Sequence, residues 1–130
     1  MSMIKDIKTH MVDQGLSVPV SLACLPPKPD DVIALYQYDG QSPLISAGIE
    51  RPGIQVRSRS PDYEAAMANI KAVADILRRV GHNEDGDDAS VDINGTLYHR
   101  IIPVQSAFEF GKDENDRHVI VQNFYVNKEW

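Results

Sequence analysis

A chain of 130 residues with 42% apolar side chains is one domain's worth of sequence, long enough to bury a core without a covalent staple. Thirteen Lys and Arg against nineteen Asp and Glu give a formal net charge of -6, the wrong sign for holding nucleic acid through its phosphates. The single Cys24 excludes an internal disulfide, and no apolar run nears the roughly twenty residues that cross a bilayer or forms the core of a secretory signal, so a soluble chain that stays where it is made is expected.

Ile4, Ile7, Met11 and Val12 recur at helical offsets, with Ser2 placed to cap the first turn and Gly15 to stop the last. An amphipathic helix therefore opens the chain. Pro19, Pro26, Pro27 and Pro29 remove backbone donors, so a strand through Val20–Leu25 is short or at an edge, and Pro26–Asp31 is a loop. Val32–Tyr38 is a β-prone apolar run closed by Asp39-Gly40, which predicts a central strand. Gln41–Gly53, with Gly48, Pro52 and Gly53 and no clear period, reads as a loop that reaches toward a neighbour.

Ile54–Arg59 alternates, turning Ile54 and Val56 to a core and Gln55, Arg57 and Arg59 to the other sheet face. Ser60 as cap, Pro61 at the first helical position, and Asp62 and Glu64 at the positive end of the dipole start the main helix. Its stripe of Tyr63, Ala66, Met67, Ile70, Val73, Ala74 and Leu77 lies on the sheet, and Arg78 and Arg79 precede Gly81. Glu84, Asp85, Asp87, Asp88 and Asp92 then surround Gly86 without the alternating ligand spacing of a calcium loop, so a solvated acidic loop is expected. Ser90–Ile93, Asn94-Gly95 and Thr96–Ile102 form a hairpin, because Asn-Gly supplies the positive φ values of a primed turn. A second hairpin joins Phe108–Phe110 to His118–Val126 through Lys112, Asp113, Glu114, Asn115, Asp116 and Arg117, a tip too charged to bury and so expected to face water or a partner.

Chemistry-bearing patterns are absent. The histidines His10, His82, His99 and His118 have no zinc spacing, no Gly-x-Ser-x-Gly elbow exists, and no glycine-rich run precedes the main helix. Neither a metal nor a cofactor is expected. Arg51, Arg57 and Arg59 form a basic group on an acidic chain; it is either a solvated strand face or a surface that pairs with the Glu84–Asp88 segment of another copy.

Three pieces in order carry a resemblance: Val32-Ile33-Ala34-Leu35-Tyr36 ending in Asp39-Gly40; Arg51–Arg57 leading through Asp62-Tyr63-Glu64-Ala65 into the long helix; and Gly111–His118 before the strand with Asn123-Phe124. With the opening helix they span almost the whole chain, which resembles the small bacteriophage tail terminator proteins, also known as minor capsid or tail completion proteins. The resemblance implies an α+β fold, a mixed and mainly antiparallel sheet with two helices packed on one face. It also implies a structural, non-enzymatic subunit in the virion tail, assembled in the host cytoplasm. Such subunits form a ring, usually hexameric, on the head-proximal end of the tail tube; the ring stops tube growth and offers a docking face to the head connector. The expected partners are then further copies of the chain, the tail tube protein and the head connector. Contacts in such a ring join unlike patches, and the candidates here are Arg51, Arg57, Arg59, Lys112, Asp113, Glu114 and Arg117, with the acidic Glu84, Asp85, Asp87 and Asp88 as counterpart. One position departs from the family: Asp116 stands where the tip tends to carry Gly. The alternatives are another head-to-tail joining or tail accessory protein and, from a different class, a small hydrolase or ligand-binding domain with a deep polar pocket.

Overall fold

The computed structural model describes residues 2–44, 47–82 and 88–129, and the side chains of 82, 88 and 89 are outside that description. Helix α1 (Met3–Asp13) starts as its sequence dictates, with the Ser2 hydroxyl accepting from the Lys5 amide. Its buried face is Met3, Asp6, Ile7 and Met11. Val12, expected on that face, lies off it and is exposed, while the charged Asp6 is inside.

Strand β1 (Val20–Leu22) runs parallel to β2 (Val32–Leu44), which turns back antiparallel into β3 (Ile49–Ser60). The segment from Gln41 to Gly53 is therefore a correction to the sequence reading: most of it is strand. Asp39-Gly40 does not close β2 but sits at an irregularity in its pairing, between Tyr38 and Gln41, and the hairpin continues to the Leu44 and Ile49 pair. Pairing of Ile49 with Glu129 and Glu50 with Lys128 holds this arm from the other side. A Cβ on Gly40 would strike the Arg51 carbonyl, so the close approach of the two strands requires glycine there.

Helix α2 (Tyr63–Arg78) follows, capped by Asp62, not by Ser60 as expected; the Asp62 carboxylate accepts from the Glu64 amide at 3.1 Å. Ala66, Ile70, Val73 and Leu77 are its fully buried face, and burying each of the larger three contributes about 1.5–3 kcal/mol. Two short strands, β4 (Gly81–His82) and β5 (Asp88–Ala89), pair with each other. The hairpin β6 (Val91–Ile93) to β7 (Thr96–Pro103) turns on Asn94 and Gly95 at φ of 54° and 88°, as the sequence requires. Strands β8 (Phe108–Lys112) and β9 (His118–Glu129) complete the fold.

Among the described residues the main sheet runs β1-β2-β3-β9-β7-β6, and β8 pairs the first half of β9 on the side that β7 occupies further along. All pairings but β1 with β2 are antiparallel, so the expected α+β class with a mixed, mainly antiparallel sheet is what forms. Both helices contribute to the core built on one sheet face, where Ile33, Leu35, Ile54, Val56, Ile120, Phe124 and Val126 meet Ile7, Met11, Ile70 and Leu77. Asp6 is tied into that core by the Tyr98 hydroxyl at 2.7 Å and the Asn94 amide at 2.9 Å, which fastens α1 to the β6–β7 hairpin. No described helix is long and apolar enough to cross a membrane.

Candidate assembly surface

Strand alternation places the odd-numbered residues of β3 on the face opposite the helices: Ser58 donates to the Ala66 carbonyl of α2, so Arg57 and Arg59 point the other way. What covers them there differs along the strand. Pro26, Pro27 and Pro29 lack amide donors, so the carbonyls of their loop need donors from elsewhere. Arg59 supplies them, donating to the carbonyls of Pro29 at 2.8 Å and Asp30 at 3.3 Å. Arg117 does the same from the hairpin tip, donating to the Pro27 carbonyl at 2.8 Å and to the Asp30 carboxylate at 3.3 Å. Arg59 is 2% and Arg117 6% exposed. These two arginines are thus largely buried and bonded within the subunit, where the sequence reading had them facing outward.

The tip is likewise more ordered than its composition implies. The Asp113 carboxylate accepts from the Asn115 amide, the Arg117 amide and the Arg117 Nε at 2.9–3.0 Å. Those amide bonds, the Arg117 amide foremost, hold its carboxyl below the usual value. Burial, and then the Arg117 charge close by, pulls the Arg59 guanidinium below its usual value. Asp116 takes a φ of 61°, the conformation for which glycine is the easier residue, and pairs with Lys112 at 3.3 Å. Glu114 is exposed at the apex.

Arg57 behaves differently from Arg59. Its guanidinium lies 4.6 Å from the centre of the Tyr36 ring and 5.4 Å from that of Phe110, and its Nε donates to Gln55 at 2.7 Å. Gln55 passes the chain on to Asn123 at 3.0 Å. The helix-free face thus carries a polar line of Arg57, Gln55 and Asn123 with an aromatic clamp at one end.

Beside that line runs an apolar stripe. Register sets Ile102 opposite Tyr125 and Phe108 opposite Val121, while the Val104 amide donates to the Asn123 carbonyl at 2.9 Å. Because 121, 123 and 125 alternate onto one face, the side chains of Phe108, Val104 and Ile102 share it, and Phe110 joins them over Arg57. All four are exposed, Phe110 at 66%. The outer edge of β8 is bordered by no other strand among the described residues.

The remaining candidates scatter. Arg51 donates to the Ser42 carbonyl at 2.7 Å and braces the β2–β3 arm, away from the stripe. Glu84, Asp85 and Asp87 lie outside the described residues; Asp88 belongs to β5, with its side chain outside the description. No set of three or more metal-binding side chains comes together among the described residues. The stripe was not anticipated. Its signal was available in adjacent Ile101-Ile102, which cannot both face one core, and in the Phe108-Glu109-Phe110 alternation beside a charged turn.

A family model described as bacteriophage tail terminator protein matches residues 3–130. Among solved structures, a chain in the virion of a native gene transfer agent (GTA) particle shares this fold, with a TM-score of 0.69 at 14% identity over 99% of this chain and 98% of that one. No curated protein matches it in sequence.

Proposed function

Because the chain belongs to the bacteriophage tail terminator family, we propose that it acts as a single-domain subunit of a ring, six copies in the usual arrangement, that caps the head-proximal end of a tail tube. It is a structural protein of a phage tail. In this reading the ring blocks further addition of the tube protein and offers its other face to the head connector, and no bond is made or broken.

The observation that carries the reading is the uncovered stripe of Ile102, Val104, Phe108 and Phe110 on the helix-free sheet face. Contiguous apolar surface of this kind on a soluble subunit marks a place where another protein sits. Arg57 borders it with charge, and Lys112 and Glu114 of the adjoining hairpin tip are proposed to meet a neighbour as well; such charge fixes register and partner choice more than it adds affinity. Arg57 and Arg51 are proposed to meet carboxylates of a neighbouring copy, with Glu84, Asp85, Asp87 and Asp88 as the acidic group of that copy. A net charge of -6 suits a ring through which DNA slides, because basic walls would hold phosphates.

Electron microscopy of tails made with and without the protein tests the reading. Tubes of indefinite length in its absence support termination. Tubes of normal length that lack heads would assign it to joining, and normal headed tails would remove it from tail completion altogether.

A further inference from the structure

The apolar stripe lies at one end of a continuous set of sheet rows, and the other end of those rows carries a groove. Val20 pairs with Ile33, Ile33 with Ser58, Ser58 with Ile120 and Ile120 with Glu109. Strands β1 and β8 are therefore the two ends of one five-strand span, four spacings of about 4.8 Å or roughly 19 Å apart. Both are short strands with one paired neighbour among the described residues. Between β1 and α1 opens a groove of about 300 Å³, lined by Val12 and Leu22 with Lys5, Lys8, Thr9 and Asp13.

The two ends complement each other in shape and in charge. Val12 and Leu22 offer an apolar floor, and Phe110 is the most exposed of the large apolar side chains among the described residues. Lys5 and Lys8 stand beside the groove and make no ion pair among the described residues, against one acid, Asp13. Across residues 108–117 the balance is reversed: Glu109, Asp113, Glu114 and Asp116 outnumber Lys112 and Arg117.

We infer that Phe110, with Phe108 beside it, seats in the α1–β1 groove of a second copy of this chain, with Lys5 and Lys8 facing the acids of the β8–β9 hairpin. The stripe is on the helix-free face and the groove is on the helix side, so successive copies overlap like roof tiles. The contact joins unlike patches at opposite ends of the subunit, the type that closes into a ring when the rotation between copies allows. An aromatic side chain entering an apolar pocket under a charged rim is also where binding energy concentrates in interfaces. The inference rests on the ring reading above for its biological setting, but its test does not depend on tail length.

The test uses the full chain with Cys24→Ser, carrying Val12→Cys and Phe110→Cys together or singly, treated with a short thiol-to-thiol cross-linker in concentrated solution and on purified tail tubes. Both positions are exposed, so folding is retained. The double variant should give a ladder of linked multimers ending at one closed species, and each single variant should give none. Adding Lys5→Glu and Lys8→Glu should lower the linked fraction by about tenfold, and Glu109→Lys with Glu114→Lys should recover it. No ladder in either setting overturns the inference. So does linking by a single variant with itself, which would mean a symmetric contact, or linking of Phe110→Cys to the tube protein. A ladder together with normal tails in the absence of the protein would leave the contact standing and remove the capping reading instead.

Discussion

The Tyr98 hydroxyl donates to the Asp6 carboxyl at 2.7 Å across a separation of 92 residues, with both side chains buried. This bond and the Asn94 side-chain amide are the described donors to Asp6, and they join the first helix to the β6–β7 hairpin. Tyr98→Phe removes one donor and leaves a buried carboxyl oxygen unpaired. A loss of about 1–3 kcal/mol in unfolding free energy is expected, read by chemical denaturation. If the variant matches the parent within error, Asp6 is not held as described.

The same pair makes the fold sensitive to base. Burial, then the bond to Asp6, raises the Tyr98 hydroxyl far above its ordinary value of 10.0, so the folded state favours the neutral phenol. A raised group contributes stability in full below its unfolded value and loses it as pH rises toward the folded value. Stability should therefore hold to about pH 10 and fall above it. Tyr38, raised by burial and then by Tyr125, adds to the fall. In Tyr98→Phe the slope above pH 10 should be shallower, as denaturation at pH 9 and pH 11 would measure; an unchanged slope would contradict the assignment.

Arg117 bridges the Asp113 carboxylate at 2.9 Å and the Pro27 carbonyl at 2.8 Å, so it fastens the proline loop to the hairpin. Arg117→Met keeps the apolar stem and removes every donor. The expected cost is about 1–3 kcal/mol, because the freed carboxylates of Asp113 and Asp30 retain some access to water. Hydrogen exchange should quicken at amides near residues 23–31 while α2 remains protected. Uniform protection in the variant would show that the loop is held by other contacts.

What was legible in the sequence was local. Ser2 and Asn94-Gly95 act within a few residues of themselves, and each set the element it was expected to set; α2 begins two residues later than Ser60-Pro61 suggested, with Asp62 as cap and Pro61 outside the helix. Gln41–Gly53 was misread because its strand pairing is completed by the far end of the chain, at Glu129 and Lys128, and no local period reports that. Alternation told which way Arg57 and Arg59 point but not what lies above them. Arg59 meets the Pro26–Asp31 loop that leads directly into β2, whereas Arg57 meets the Tyr36 and Phe110 rings and Gln55. The fold class followed from the pattern; the assembly surface needed the register of β7, β8 and β9.

Two glycines in the arm separate backbone from side-chain constraint. A Cβ at Gly53 would press on the Tyr38 ring, the far end of a side chain that turns aside, whereas a Cβ at Gly40 would meet the backbone of Arg51 and Pro52. Gly53→Ala should cost about 1 kcal/mol and Gly40→Ala distinctly more, up to about 3 kcal/mol. Thermal unfolding of the two variants compares them directly, and equal losses would mean that the arm relaxes as a unit.

Arg57 and Arg59, two residues apart on one strand face, should answer reversal of charge in opposite ways. Arg57→Glu gives up a stacking contact with Tyr36 and Phe110, about 0.5–1 kcal/mol, so the isolated subunit stays folded. Its effect should appear in assembly, since the altered charge sits beside the exposed stripe. Arg59→Glu places an anion against the carbonyls of Pro29 and Asp30 in a buried site and should unfold or strongly destabilise the subunit. Circular dichroism on both variants, followed by tail-capping with whichever folds, distinguishes the roles. A folded Arg57→Glu that caps tails as well as the parent would remove Arg57 from the assembly surface, and a fully stable Arg59→Glu would refute its place as the internal tie.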